Sequence, residues 1–143
     1  MGVDKLHIFL VDDDVDEHYI FASHLEKVAP HVGLSTFVGW QEFKSYLGSM
    51  KMTSQQRLLV LMDLDMPVIS GAQAIESIRK DAKYRSLPII VYTHSTSPED
   101  IKRCYMIGAN SYVVKPEVPE QSIALIHKLI DYWTECSLTP ESY

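Results

Sequence analysis

Five consecutive apolar residues, Leu58-Leu59-Val60-Leu61-Met62, run straight into Asp63. The run shows no polar–apolar alternation, so as a strand it must be covered on both faces, the condition of a parallel sheet flanked by helices. The segment that follows, LDMPVISG, ends the pairing at once, because Pro67 lacks a ladder donor and Gly71 permits a tight turn. A carboxylate at the carboxyl end of such a strand lies where open α/β sheets hold their ligands, so Asp63 is the first candidate for chemistry. The plainer alternative is a loop aspartate that caps the next turn.

The rest of the chain repeats this unit. A near-continuous apolar run at 6–11 ends in Asp12, Asp13 and Asp14, and a helix at 15–28 follows with Phe21, Leu25 and Val28 on one face. Pro30 and Gly33 close that helix. Residues 34–38 alternate and predict a shorter strand near an edge, and 41–47 predict a helix facing inward through Phe43, Tyr46 and Leu47. The polar stretch 48–57 reads as an exposed loop whose two methionines fill gaps against the neighbouring helix. Ser70 caps a third helix through residue 81, with Ala74, Ile75 and Ile78 inward. A strand at 89–92 delivers Thr93 and His94, and Ser97-Pro98-Glu99-Asp100 opens a fourth helix that stops at Gly108. Residues 111–114 form the last strand, ending at Lys115 and Pro116. A fifth helix from about Glu120 carries Ile123, Ile126, Ile130 and Trp133 on one face, and an irregular tail occupies 134–143. Five alternations predict an α/β fold, a flavodoxin-like (βα)5 doubly wound parallel sheet of strand order 2-1-3-4-5.

Length and charge narrow the classes. A chain of 143 residues fits one domain, core about 5–133 and tail 134–143, without room for a second folded output module. No apolar run is long enough to span a membrane, and the N-terminus meets acids too soon for a signal peptide, so a cytoplasmic protein is expected. Cys104 and Cys136 have neither disulfide-framework nor zinc spacing, and Cys104 is expected to be packed inside a helix. The six histidines lack close ligand spacing; His18, His24 and His31 read as surface or helix-end residues. A net charge of -6 argues against binding nucleic acid and suits a site for a divalent cation.

The strand ends converge. In a parallel sheet, Asp12 and Asp13, Asp63, Thr93 and Lys115 all fall along one edge. Two carboxylates about 4 Å apart repel by roughly 4 kcal/mol at an effective dielectric near 20, so three need a cation. Magnesium (Mg2+) fits, since it takes oxygen ligands from one or two carboxylates together with phosphate. Lys115 adds a positive charge and Thr93 a hydroxyl donor, a set suited to phosphoryl transfer.

Here the chain resembles the receiver domain of bacterial two-component response regulators, through LVDDD at 10–14, MDLDMPVISG at 62–71, VYT at 91–93 and GANSYVVKP at 108–116. The resemblance implies that Asp63 is the phosphoacceptor for a sensor histidine kinase or phosphotransfer protein. It implies Mg2+ ligated by Asp13, Asp63 and the Asp65 backbone carbonyl, with Asp12 acting through water. Lys115 would hold phosphoryl oxygens, and Thr93 and Tyr112 would form the switch. Such a protein catalyses only its own phosphorylation and dephosphorylation, and presents a changed surface, or a homodimer contact, on helix 4, strand 5 and helix 5. Three positions depart from the common pattern: His94, able to narrow access to Asp63, Asp65, adding charge, and Glu117. The connector at 48–57 and CYMIGANSYVVKP also resemble single-domain regulators that partner phytochrome-type sensor kinases. Two other readings stand beside this one. The DxD of Asp63 and Asp65 also fits a haloacid-dehalogenase-like phosphatase, although no adjacent acid pair follows Lys115. A phosphorylation-independent interaction domain would be expected to have lost part of the acid cluster or Lys115.

Overall fold

The computed structural model describes residues 5–50 and 56–140. Five parallel strands, β1 (Lys5–Val11), β2 (Gly33–Phe37), β3 (Gln56–Met62), β4 (Ile89–Thr93) and β5 (Ser111–Val114), lie in the order β2-β1-β3-β4-β5. Between and after them run α1 (Val15–Val28), α2 (Trp40–Ser49), α3 (Gly71–Lys80), α4 (Pro98–Ile107) and α5 (Pro119–Asp131).

The apolar run of β3 behaves as its lack of alternation requires. Leu58, Val60 and Met62 join Phe9, Val11, Ile89 and Val91 in the layer closed by α2, α3 and α4. Leu59 and Leu61 join Ile8, Leu10, Ile90 and Tyr92 under α1 and α5. At about 2 kcal/mol for each large apolar side chain removed from water, these five residues contribute on the order of 10 kcal/mol, which holds β3 at the centre.

Local chemistry sets the helix ends. Asp14 caps α1 by accepting the Asp16 N–H, Ser70 and Gln73 form a reciprocal capping box on α3, and Ser97 with Pro98 starts α4. Gly108 ends α4 at φ 114°, a left-handed position that favours glycine. Beside it, Arg79 donates to the carbonyls of Gly108 and Leu87 (both 2.8 Å) and Tyr84 (3.1 Å), and to Asn110 Oδ1 (2.9 Å). Asn110 Oδ1 also accepts the Ile89 N–H at 2.8 Å. This guanidinium therefore binds the end of α3 to the turns that precede β4 and β5.

Several expectations change. The connector is shorter than its composition suggests, since α2 continues to Ser49 and β3 begins at Gln56; residues 51–55, Met52 included, lie outside the described residues. Met50 packs against the core. The tail is not irregular from residue 134: a π-helical turn, Tyr132–Cys136, extends α5, and Arg57 then anchors the chain by donating to the Thr139 carbonyl at 2.8 Å. His24 is buried, not superficial, and its Nδ1 lies 3.2 Å from Ser122 Oγ across the α1–α5 contact. Gly71 is required for space and not for a turn conformation. Its φ is not positive, but a Cβ there would sit 2.0 Å from the Asp63 carbonyl oxygen. The left-handed residue of that loop is Val68, at φ 68°.

Candidate functional site

Sheet register assembles the site. The Asp12 N–H donates to the Phe37 carbonyl, Asp63 N–H to Val11, and Lys115 N–H to Thr93, at 2.7–2.9 Å. Each of these residues thus continues its ladder one step past the strand, which places their side chains along one edge. Asp12 (1% exposed), Asp63 (7%), Lys115 (5%) and Thr93 (0%) are buried there, and Asp13 is exposed at the rim. Carboxylate oxygens of Asp12, Asp13 and Asp63 lie within 4.8 Å of one another, a separation that one divalent cation can span.

Charge is distributed unevenly. Lys115 Nζ lies 2.5 Å from Asp12 Oδ2 and 3.8 Å from Asp63 Oδ1. The other Asp12 oxygen accepts the Asp14 N–H at 2.9 Å. Burial pulls the Lys115 ammonium down, but the hydrogen bond to Asp12 and the charge of Asp63 outweigh it, and the net direction is up. Burial pushes the Asp63 carboxyl up to about 6; Lys115 opposes this, Asp12 adds to it, the Thr93 hydroxyl opposes it, and Asp65 adds to it. Asp63 is therefore an anion held in an unfavourable place, with incomplete compensation.

The other predicted residues lie around this centre. The Tyr112 hydroxyl donates to the Ser95 carbonyl at 2.9 Å, so the aromatic on β5 is tied to the loop that follows Thr93. The Asp65 side chain is exposed and is not part of the three-carboxylate cluster. His94 is exposed, with Nε2 3.9 Å from Glu17 Oε1, and both residues line a cavity that Lys115 also lines. Glu117 is exposed in the β5–α5 loop, where no apolar contact is demanded.

Two participants escaped the sequence. His18 Nε2 lies 2.6 Å from the Asp12 carbonyl oxygen, and Glu17 stands near enough to Lys115 to raise it. Both belong to the first turn of α1. A helix that starts directly after an acidic strand end turns those positions back over the same sheet edge, and that is the signal that could have found them.

The chain belongs to the response regulator receiver domain family, which matches residues 8–127. It is similar to the probable methanogenesis regulatory protein FilR2 of Methanothrix harundinacea, at 32% identity over 82 residues. That match covers 57% of this chain and 53% of FilR2, so the similar segment spans about half of that relative. In fold it matches the phosphorylated cyanobacterial phytochrome response regulator RcpA, with a TM-score of 0.83 at 22% identity, covering 95% of this chain and 99% of that one. The Mn2+-bound form of response regulator Rcp1 matches with a TM-score of 0.79 at 19% identity, covering 94% and 98%. Membership in a signalling family displaces the phosphatase reading of the DxD. Among the described residues, no helix is long and apolar enough to cross a membrane.

Proposed function

We propose that Asp63 accepts a phosphoryl group from a phosphohistidine on a sensor histidine kinase or phosphotransfer protein, and that the resulting aspartyl phosphate switches the surface of α4, β5 and α5. The observation that carries this reading is the convergence of three carboxylates and Lys115 at the ends of β1, β3 and β5. An Asp63 oxygen attacks phosphorus, the P–O bond forms as the P–N bond breaks, and the imidazole leaves with its electron pair and takes up a proton. Asp12, Asp13 and Asp63, with the Asp65 backbone carbonyl, would hold Mg2+, which when bound offsets the negative charge gathered on the phosphoryl oxygens.

Lys115 turns from Asp12 toward the new phosphoryl oxygens, because they carry more charge than the carboxylate they replace. Thr93 donates its hydroxyl to another phosphoryl oxygen. The loop from His94 to Ser97 follows Thr93, and Tyr112, bonded to the Ser95 carbonyl, changes position with it. Exposed Tyr105, Met106, Val114 and Val118 on that side supply the surface for a homodimer or target protein. The kinase class in this reading is phytochrome-type, supported by the connector, the CYMIGANSYVVKP string and the likeness to a phytochrome response regulator. In this reading the receiver domain works in the cytoplasm.

Intact mass spectrometry after incubation with acetyl phosphate and Mg2+, and with candidate kinases, tests the reading. Wild type gains one phosphoryl mass and Asp63→Asn gains none. An unchanged wild-type mass with every donor, or equal labelling of the variant, overturns it.

A further inference from the structure

Between α2 and the carboxyl end of α3 lies a cavity of about 540 Å³, formed by none of the residues assigned to phosphoryl transfer. The half-buried Trp40 supplies apolar surface above the buried Leu47, Ile78 and Tyr84, and Lys44, Lys80 and Lys83 stand around it with a single carboxylate, Asp81. That carboxylate is engaged, since its Oδ1 accepts the Lys83 backbone N–H at 3.0 Å. None of the three ammonium groups pairs with a carboxylate among the described residues. Lys83 lies instead 5.3 Å from the centre of the Tyr84 ring.

Three unpaired cations around one concavity run against the balance of the whole chain, which carries 19 acidic and 13 basic residues. The helix dipole accounts for Lys80, in the last turn of α3. It does not account for Lys44, midway along α2, or for Lys83, beyond the end of α3. Contacts brace the wall from behind. The Tyr84 hydroxyl donates to the Leu47 carbonyl at 2.8 Å, and the half-buried Trp40 ring meets Phe43 edge-on at 6.2 Å. The Trp40 indole N–H has no hydrogen-bond partner among the described residues. Volume, an aromatic wall and ammonium groups at the rim are the marks of a small-molecule pocket.

We propose that the α2–α3 cavity binds a flat apolar acid, its aromatic body against Trp40 and its carboxylate, sulfonate or phosphate among Lys44, Lys80 and Lys83. The charge selects anions and the wall selects rings, so inorganic phosphate alone lacks half of the contacts. The site is separate from Asp63 and stands or falls independently of phosphorylation.

The probe is 8-anilinonaphthalene-1-sulfonate, titrated into the full chain carrying Trp133→Phe, which leaves Trp40 as the sole tryptophan of the two in the sequence. The expected result is saturable one-to-one binding that quenches Trp40 emission. Lys44→Gln, Lys80→Gln and Lys83→Gln together weaken it about tenfold, as three exposed charge contacts of modest strength would, with an unchanged thermal unfolding transition. The uncharged analogue N-phenyl-1-naphthylamine binds with an affinity that the substitutions do not alter. Absence of saturable binding, binding without quenching of Trp40, or equal affinity in the triple variant overturns the proposal.

Discussion

Asp12 and Asp63 occupy equivalent positions on neighbouring strands, each one residue past its ladder and each buried, yet they are in opposite electrostatic situations. Both oxygens of Asp12 are bonded, one to the Asp14 N–H and one to Lys115, and its carbonyl oxygen meets His18. Asp63 shares the same lysine only at 3.8 Å, and burial pushes it up to about 6. In the proposed function, equal burial with unequal partnership would separate a supporting acid from a reactive one. The lysine between them is held closely by Asp12, and Asp63 is left with the weaker share of that charge.

The largest expected effect breaks the shared partner. Lys115→Met strands the Asp12 charge in the interior and lowers stability by about 3 to 5 kcal/mol, read from urea denaturation. Double-mutant cycles then sharpen the contrast. The Lys115–Asp12 coupling should exceed the Lys115–Asp63 coupling by about 1 kcal/mol, and equal couplings would erase the distinction.

Next comes removal of the strained charge. A carboxyl raised from 3.8 to about 6 keeps its proton to higher pH in the folded state than in the unfolded one. Its contribution is therefore most favourable below 3.8, declines as pH rises to about 6, and is flat above. Ionised Asp63 then costs the fold about 3 kcal/mol. In metal-free buffer at pH 7.5, Asp63→Asn should raise stability by about 2 to 3 kcal/mol and remove the decline between pH 4 and 6. Saturating Mg2+ should cancel the gain by stabilising the wild type alone. A variant no more stable than wild type without metal would show that Asp63 is already compensated.

Gly71→Ala perturbs one carboxylate and spares the other. Its Cβ would collide with the Asp63 carbonyl, so a loss of about 2 kcal/mol is expected, with NMR shift changes at Asp63 and little change at Asp12. The smallest effect is a gain. Val68 is 91% exposed at positive φ, and Val68→Asn should add about 1 kcal/mol to thermal stability by relieving backbone strain in the loop that follows Asp63.

How much of this was legible depends on range. β5 and α1 match their expected spans, and the 2-1-3-4-5 order follows from five βα repeats, because periodicity and caps are local signals. The placement of Asp12, Asp13, Asp63, Thr93 and Lys115 along one edge is readable because each lies at, or within two residues of, the carboxyl end of a strand. What resisted reading depends on contacts across the fold. Gly71 has the sequence signature of a turn glycine, and only the path of the Asp63 backbone makes it a steric requirement. His24 looks like a surface helix residue until α5 closes over it. Glu17 and His18 lie on an amphipathic helix whose aim relative to the sheet edge no local pattern records. Polar composition in the connector points to a loop, yet α2 and β3 each extend into it, because residues at helix and strand ends can stay solvated.

The Arg79 contacts have a mechanical meaning. They gather the chain at the amino ends of β4 and β5, whereas Thr93 and Lys115 lie at the opposite ends, about 15 Å away at the usual rise per strand residue. α4 is tethered to this knot through the Gly108 carbonyl, and its amino end at Ser97 is tied to the Ser95 hydroxyl in the loop that Tyr112 touches. A rod fixed at one end and loaded at the other pivots. An impulse of about 1 Å at its free end rotates a helix of this length by about 4°. In the proposed switch, α4 would swing as a gate, with Gly108 as its hinge and the acid-lined edge of the sheet as its latch.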